Sequence, residues 1–175
     1  MRHLIRTNGL AVLAAALLFG LAGQAQAQTG YDRRMTRDVL SKLHHVNQME
    51  IRLGTLAMAK GQSPEVRSYG RRLRNDHRRN DRQVMRLADR EGLELRVIAP
   101  DAHERALSRR LRNSHGSAFD NEFLNAMAQG HAQVLQEMRE AHRNLRDPEA
   151  RRLIGDTLPA LRSHRNMARE YRSQI

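Results

Sequence analysis

The chain has 175 residues, 31 Lys+Arg against 19 Asp+Glu, a formal net charge of +12 and no cysteine. That composition excludes disulfide staples and thiolate metal sites, so any bound ion must take nitrogen, oxygen or thioether ligands. Aromatic residues are 3% of the total, which leaves a core of Leu, Ala, Val and Met that favours helices over strands, and no stacking platforms for nucleic acid.

Residues 1–27 read as a secretory leader: Arg2, His3 and Arg6 are basic, Leu10 to Gly23 is almost wholly apolar, and Ala25-Gln26-Ala27 has the small-x-small pattern of a cleavage site. The apolar run is short of the roughly 20 residues that a membrane-spanning helix needs. The expectation is release into the periplasm or beyond after cleavage near Ala27, which also separates the chain from nucleic acid. Lys42 and Lys60 are the only lysines, so the positive charge is carried by arginine. Arg71, Arg72, Arg74, Arg78, Arg79, Arg82, Arg86 and Arg90 follow one another closely, with acids at i,i+4 spacing. A solvated face is the first reading of such a run; as a contact it suits an anionic envelope surface, lipid head groups or lipopolysaccharide. Nothing in the pattern specifies an oligomeric state.

Residues 28–36 are expected to form a flexible tail and residues 37–175 a single bundle domain. A first helix is predicted from Arg37 to Lys60, with the apolar seam Val39, Leu43, Val46, Glu50, Leu53, Ala57 and a stop at Gly61. Ser63-Pro64-Glu65 opens a second, with the seam Val66, Gly70, Leu73, His77, Asn80, Val84, Leu87 and a stop at Gly92. From Gly92 to Gly116 the pattern changes to an extended stretch and a short helix opened by the Asp101/Glu104 capping pair. That connector is long enough to cross the length of a bundle and make helices two and three parallel neighbours. A third helix, expected to be capped by Ser117-x-x-Asp120, carries Asp120, Leu124, Met127, His131, Val134, Met138, Ala141 and Leu145 on one face. Asp147-Pro148-Glu149 opens the fourth, with Ala150, Ile154, Thr157, Leu161, His164, Ala168 and Tyr171 as its seam and a kink expected at Pro159.

Each seam therefore contains one acid or imidazole: Glu50, His77, His131 and His164. Counted from the hairpin loops at 1.5 Å per residue, all four fall about halfway along their helices, so they can meet in one layer. An isolated buried ionisable group costs several kcal/mol, so each of them needs a partner.

These residues carry a resemblance. Glu50 with Leu53-Gly54-Thr55-Leu56-Ala57, Asn75-Asp76-His77, Phe119-Asp120-Asn121-Glu122-Phe123-Leu124 with Met127 and His131, and Leu158-Pro159-Ala160-Leu161 with His164 resemble the exported bacterial domain-of-unknown-function family 4142. The resemblance spans roughly Thr36 to Arg172. It implies an all-α, ferritin-like four-helix bundle with a long crossover carrying a short helix between helices two and three, and it places Glu50, His77, Asp120, His131 and His164 at motif positions. Phe123 stands where many members have Tyr, which removes a hydroxyl. The family brings no established activity.

Two functional readings follow. The first is an exported helical-bundle protein acting in binding or envelope stress protection, with a structural layer in which Glu50 accepts hydrogen bonds from the histidines. The second is a mononuclear metal site on Glu50, His77, His131 and His164 for a divalent ion, zinc, iron or manganese, with copper(I) less favoured although Met127 and Met167 stand one turn from His131 and His164. A di-iron centre of the ferritin type is excluded, because it needs Glu-x-x-His pairs and the positions three before the histidines are Arg74, Ala128 and Leu161. The structural layer is the reading adopted at this level. Asp120 is expected to act as a helix cap, and Asp76 to face away from the seam or to take a hydrogen bond from another helix's first turn. His44, His45, His103, His115 and His142 fall off the seams and are expected in solvent. Nucleophilic and phosphoryl-transfer motifs are lacking, so binding is expected rather than catalysis.

Overall fold

The computed structural model describes residues 9–174, and side chains from residue 28 onward. Five helices follow in order: α1 Gly9–Lys60, α2 Pro64–Arg90, α3 Ala102–Asn113, α4 Gly116–Asn144 and α5 Pro148–Arg172. The expected leader falls on residues outside the described ones or on the start of α1, where side chains are not described. Among the described residues no helix is long and apolar enough to cross a membrane.

Residues 28–36, expected as a flexible tail, are helical and continuous with α1. The reason lies in their contacts. Gln28 bonds Asp32 one turn on, Arg33 donates to the Gly92 carbonyl at 2.7 Å, and Thr36 is buried. The predicted seams otherwise form the core, with Leu40 and Leu135 buried beside half-buried Val39 and Val134.

The start of α2 is made as its sequence requires: Ser63 accepts from the Val66 N–H at 3.2 Å, and Pro64 occupies the first turn. Asp147 does the same for α5, accepting from Ala150 at 2.7 Å. The Asp101/Glu104 capping box opens α3. The cap expected of Asp120 on its own helix is not made. α4 instead starts at Gly116, whose φ of +59° suits glycine, and Asp120 reaches across to the α1–α2 loop. There its two carboxylate oxygens accept from the Gln62 and Ser63 N–H groups at 2.9 and 2.8 Å.

At one end of the bundle Asp32, Arg33, Arg90, Gly92, Arg146 and Glu149 are tied together; at the other, Lys60 meets the end of α3 and Asp120 meets the α1–α2 loop. α2 and α4 thus run parallel, as a crossover demands. They are not neighbours, however. α1 packs on α2 and α4, and α5 on α4 and α2, so α2 and α4 face each other across the diagonal. Like-directed helices at opposite corners leave every side of the bundle antiparallel, the arrangement that macrodipoles favour.

The apolar interior is split into two clusters. One is built around Tyr69, Phe119, Phe123 and Leu124, the other around Leu40, Leu43, Val84, Leu135 and Ile154. Between them lie the buried or half-buried polar residues Asn47, Glu50, His77, Asn80, His131, Thr157 and His164.

Candidate metal centre

Three of these residues converge. His77 on α2, His131 on α4 and His164 on α5 each bring one ring nitrogen to a common region, and these atoms lie within 4.8 Å of one another. The ring centroids are 5.2 to 5.8 Å apart, and the three residues are 1 to 3% exposed.

What each ring does with its other nitrogen decides the chemistry. His131 Nδ1 lies 2.9 Å from the Met127 carbonyl one turn back. A carbonyl only accepts, so Nδ1 carries the proton and Nε2 has a bare lone pair. His164 Nε2 lies 2.9 Å from an Asp76 carboxylate oxygen, which likewise fixes its proton there and leaves Nδ1 bare. His77 Nδ1 donates to the Asn47 side-chain oxygen at 2.8 Å; Asn47 donates to Asn80 at 2.8 Å, Asn80 to Thr157 at 2.7 Å, and Thr157 to the Leu153 carbonyl at 2.8 Å. That relay ends on a carbonyl, so every donor in it points one way and His77 Nε2 is bare. The three bare nitrogens, His77 Nε2, His131 Nε2 and His164 Nδ1, are all buried and have no hydrogen-bond partner. Three acceptors and no donor cannot satisfy one another, and one water offers two protons for three lone pairs. A cation satisfies all three.

Glu50 stands in the same layer but outside the trio whose ligand atoms come together. Its Oε2 is buried without a partner, and it makes no hydrogen bond with an imidazole, so the expected Glu50-to-histidine network is not formed. Asn47, Asp76 and the Met127 carbonyl take those protons instead. Asp76 is therefore not turned from the seam: it links His164 of α5 to α2, and Arg79 and Arg72 brace it at 2.5 and 3.6 Å. Tyr69 donates to the His164 carbonyl at 2.8 Å and stands edge-on to the Phe123 ring, a contact that needs no hydroxyl at position 123. Two clefts reach the layer from the surface. One, of about 280 Å³ between α2 and α5, is lined by Asp76, His77 and His164; the other, of about 720 Å³ between α1, α3 and α4, has Glu50 and Met127 in its wall.

Two other histidines depart from expectation. His45 is buried and lies 2.9 Å from Glu104 of α3, and half-buried His44 lies 2.7 Å from Asp81 of α2. The crossover covers the side of α1 that the four-helix seam leaves open. His103 and His115 are exposed and His142 half-buried. The sequence reading passed over Asn47 as a partner and gave Asn80 and Thr157 no role. Asn80 carried a signal, a polar residue on an apolar seam one turn from His77, whereas Thr157 stands two turns before His164 and Asn47 lies beside the seam residue Val46.

Burial sets the protonation states. Desolvation, with the neighbouring rings adding to it, holds His77 well below the ordinary imidazole range and His131 at about 3. It also lowers His164, against the opposing pull of Asp76. Desolvation pushes Glu50 up to about 8. The stability of the ligand-free protein follows with a definite sign. Below 6.5 the unfolded chain takes up protons that the folded imidazoles refuse, so stability falls as pH drops. Between 4.5 and 8 the folded Glu50 keeps a proton that the unfolded chain loses, so its own contribution falls as pH rises. Three imidazoles outweigh one carboxyl below 6.5, and Glu50 acts alone above it. The ligand-free protein is expected to melt highest near pH 6.5 in calorimetry between pH 4.5 and 8.5; a melting temperature still climbing at pH 8 would show that Glu50 is not held neutral.

The family described as "Domain of unknown function (DUF4142)" matches residues 21–171. Among solved structures, CopM in its Cu(I)-bound form aligns with a TM-score of 0.67 at 16% identity, covering 79% of this chain and 96% of that one. CopM in the apo form aligns with a TM-score of 0.61 at 17% identity, covering 82% and 96%. At these identities the likeness is one of fold. No curated protein matches the chain.

Proposed function

We propose that this chain, which belongs to the domain-of-unknown-function family 4142, is an exported metal-binding protein whose ferritin-like bundle holds one Cu(I) ion on His77, His131 and His164. The observation that carries the reading is the trio of buried, partnerless ring nitrogens, each on a ring whose opposite nitrogen is already pinned. Hydrogen bonds of that kind are what fix the tautomer and orientation of metal-binding imidazoles.

Charge selects the ion. All three ligands are neutral, and Glu50, held protonated up to about 8, supplies no anion at neutral pH. The cost of burying an ion climbs steeply with its charge, so a monovalent ion is favoured at a neutral, buried site. Copper(I) is monovalent and accepts imidazole nitrogen. Zinc takes four ligands as a rule, and here would need a water or an ionised, inward-turned Glu50 as the fourth while bringing twice the charge. A neutral ligand set thus favours Cu(I) over the zinc, iron or manganese expected from the sequence, and three unpaired nitrogens count against a purely structural layer. The likeness of fold to Cu(I)-bound CopM supports it further. Export rests on the leader pattern of residues 1–27. An ion bound there is withdrawn from water, and the chain's role is sequestration.

The test is an anaerobic Cu(I) titration of the untagged protein against a chromogenic chelator, with a parallel zinc series. One Cu(I) per chain, held at least a hundred-fold more tightly than zinc, is the expected result. Tighter zinc binding would replace copper in this reading, and no stoichiometric metal would return the layer to a structural role.

A further inference from the structure

Another concavity lies away from the His77, His131 and His164 trio and has His44 and His45 in its wall. A groove of about 990 Å³ runs between α1, α2 and the crossover, within the size range of ligand sites. Its halves differ in chemistry. Toward the end near Ser41, which the Arg96 N–H contacts at 2.9 Å, the walls are Leu93, Leu95, Val97, Ile98 and Met85. Met85, Val97 and Ile98 are, with Tyr31, the exposed large apolar side chains among the described residues, and Val97 is the most exposed of the four. Toward the end near Lys60 the walls are Arg52, Arg109 and Arg112.

The charges in the groove are not balanced locally. Arg96 pairs with Asp38, Arg105 donates to the Pro100 carbonyl, and Glu104 is held by His45 and its own capping box. Arg52, Arg109 and Arg112 make no side-chain ion pair or hydrogen bond among the described residues, although carboxylates are common elsewhere on the surface. Asp89 and Glu94, the other acids of the groove, lie by the end of α2, at the far end from these arginines. From Ser41 to Arg52 along α1 is roughly 16 Å at 1.5 Å per residue, a span matched by an extended acyl chain of about a dozen carbons.

We infer that this groove binds a single-chain anionic amphiphile, with the tail along Leu95, Ile98 and Met85 and the head on Arg52, Arg109 and Arg112. An apolar trough gives the tail a place out of water, and unpaired guanidiniums match a carboxylate or phosphate head in charge and in fork geometry. A cationic amphiphile would set its head against those arginines. A head group without a tail would meet exposed charges alone, which bind weakly in water.

The test is calorimetric titration of the purified chain with dodecanoate below its micellar concentration, with dodecyltrimethylammonium and acetate as controls. The expected result is saturable one-to-one binding of dodecanoate at least ten-fold tighter than either control, seen also as a one-ligand mass increment in native mass spectrometry. The exposed double substitution Arg109→Glu with Arg112→Glu, and separately Ile98→Asp, should each weaken it ten-fold or more while circular dichroism and Cu(I) loading stay unchanged. The proposal is overturned by absence of saturable dodecanoate binding, by equal binding of the cationic amphiphile, or by variants that bind as the parent does. Sedimentation showing that copies of the chain associate through this groove, with dodecanoate unable to displace them, would overturn it as well.

Discussion

Replacing His131 by leucine is expected to abolish stoichiometric Cu(I) binding and to leave the metal-free bundle as stable as the parent, or more so. The two halves of that outcome come from the same atom. His131 Nε2 is one of three buried lone pairs without a donor, so in the metal-free protein it is a cost, about 1–3 kcal/mol for a desolvated polar atom left unpaired. Leucine has a similar volume and no polar atom, and avoids the cavity that alanine would leave. A gain of about 1 kcal/mol would raise the melting temperature of a chain this size by roughly 2–4 °C. Losing one of three ligands is expected to weaken Cu(I) binding about a thousand-fold or more, ~4 kcal/mol at 1.4 kcal/mol per decade. The parent should gain about 4 kcal/mol of stability from free metal at a thousand times its dissociation constant, and the variant at most about 0.4 kcal/mol. Scanning calorimetry with and without Cu(I) reads both halves. A histidine serving a structural network gives the opposite pattern, a metal-free variant that melts lower and a parent indifferent to the ion.

The difference between those patterns lies in atoms that a sequence does not carry. Helical periodicity and a count of residues from the hairpin loops were enough to find His77, His131 and His164 and to predict that they share a depth, because rise per residue is fixed and the loops are short. Neither could say which ring nitrogen faces inward. That depends on Asn47, on the Met127 carbonyl and on Asp76, each of which lies beside a seam residue or on the backbone. Glu50 has the same depth and periodicity as the histidines, yet stays outside the trio. Periodicity fixes the face of a helix to within about a residue, and a ligand set needs a few tenths of an ångström.

Longer-range features were less legible still. The capping box of α3 was readable because it closes within three residues, whereas Asp120 caps a loop 57 and 58 residues away. His45 reads as solvent-facing if only four helices are counted and is buried because α3 covers it with Glu104. The parallel course of α2 and α4 followed from the connector's length; their diagonal placement is a property of four helices packed together, which no single segment encodes.

Adding one methyl group at Gly54 or Gly70 is expected to cost stability as much as emptying a core position would, though both lie in helices, where alanine is ordinarily the better residue. A Cβ at Gly54 would stand 2.7 Å from the Gly70 carbonyl oxygen and 3.0 Å from the Arg74 nitrogen; one at Gly70 would stand 2.7 Å from the Gly54 oxygen and 2.8 Å from the Ala57 Cβ. The atoms that would be struck are mostly backbone, so no side chain can swing away and α1 and α2 must separate. Overpacking of this kind costs ~1–3 kcal/mol, and the upper end is expected here because the neighbours cannot yield; the gain in helix propensity, about 1 kcal/mol, offsets only part of it. Separation also carries Asn47 away from His77, a 2.8 Å contact across the same pair of helices. Gly70→Ala should therefore weaken Cu(I) binding about ten-fold or more, as loss of an outer hydrogen bond to a ligand does. The Gly54→Ala/Gly70→Ala double variant should cost less than the sum of the two, since one separation relieves both collisions. Gly130→Ala is the matched control. It meets nothing within 4 Å and should stabilise the helix by about 0.5–1 kcal/mol, so denaturant melts in which Gly70→Ala behaves like Gly130→Ala would show that α1 and α2 do not approach as closely as their glycines allow.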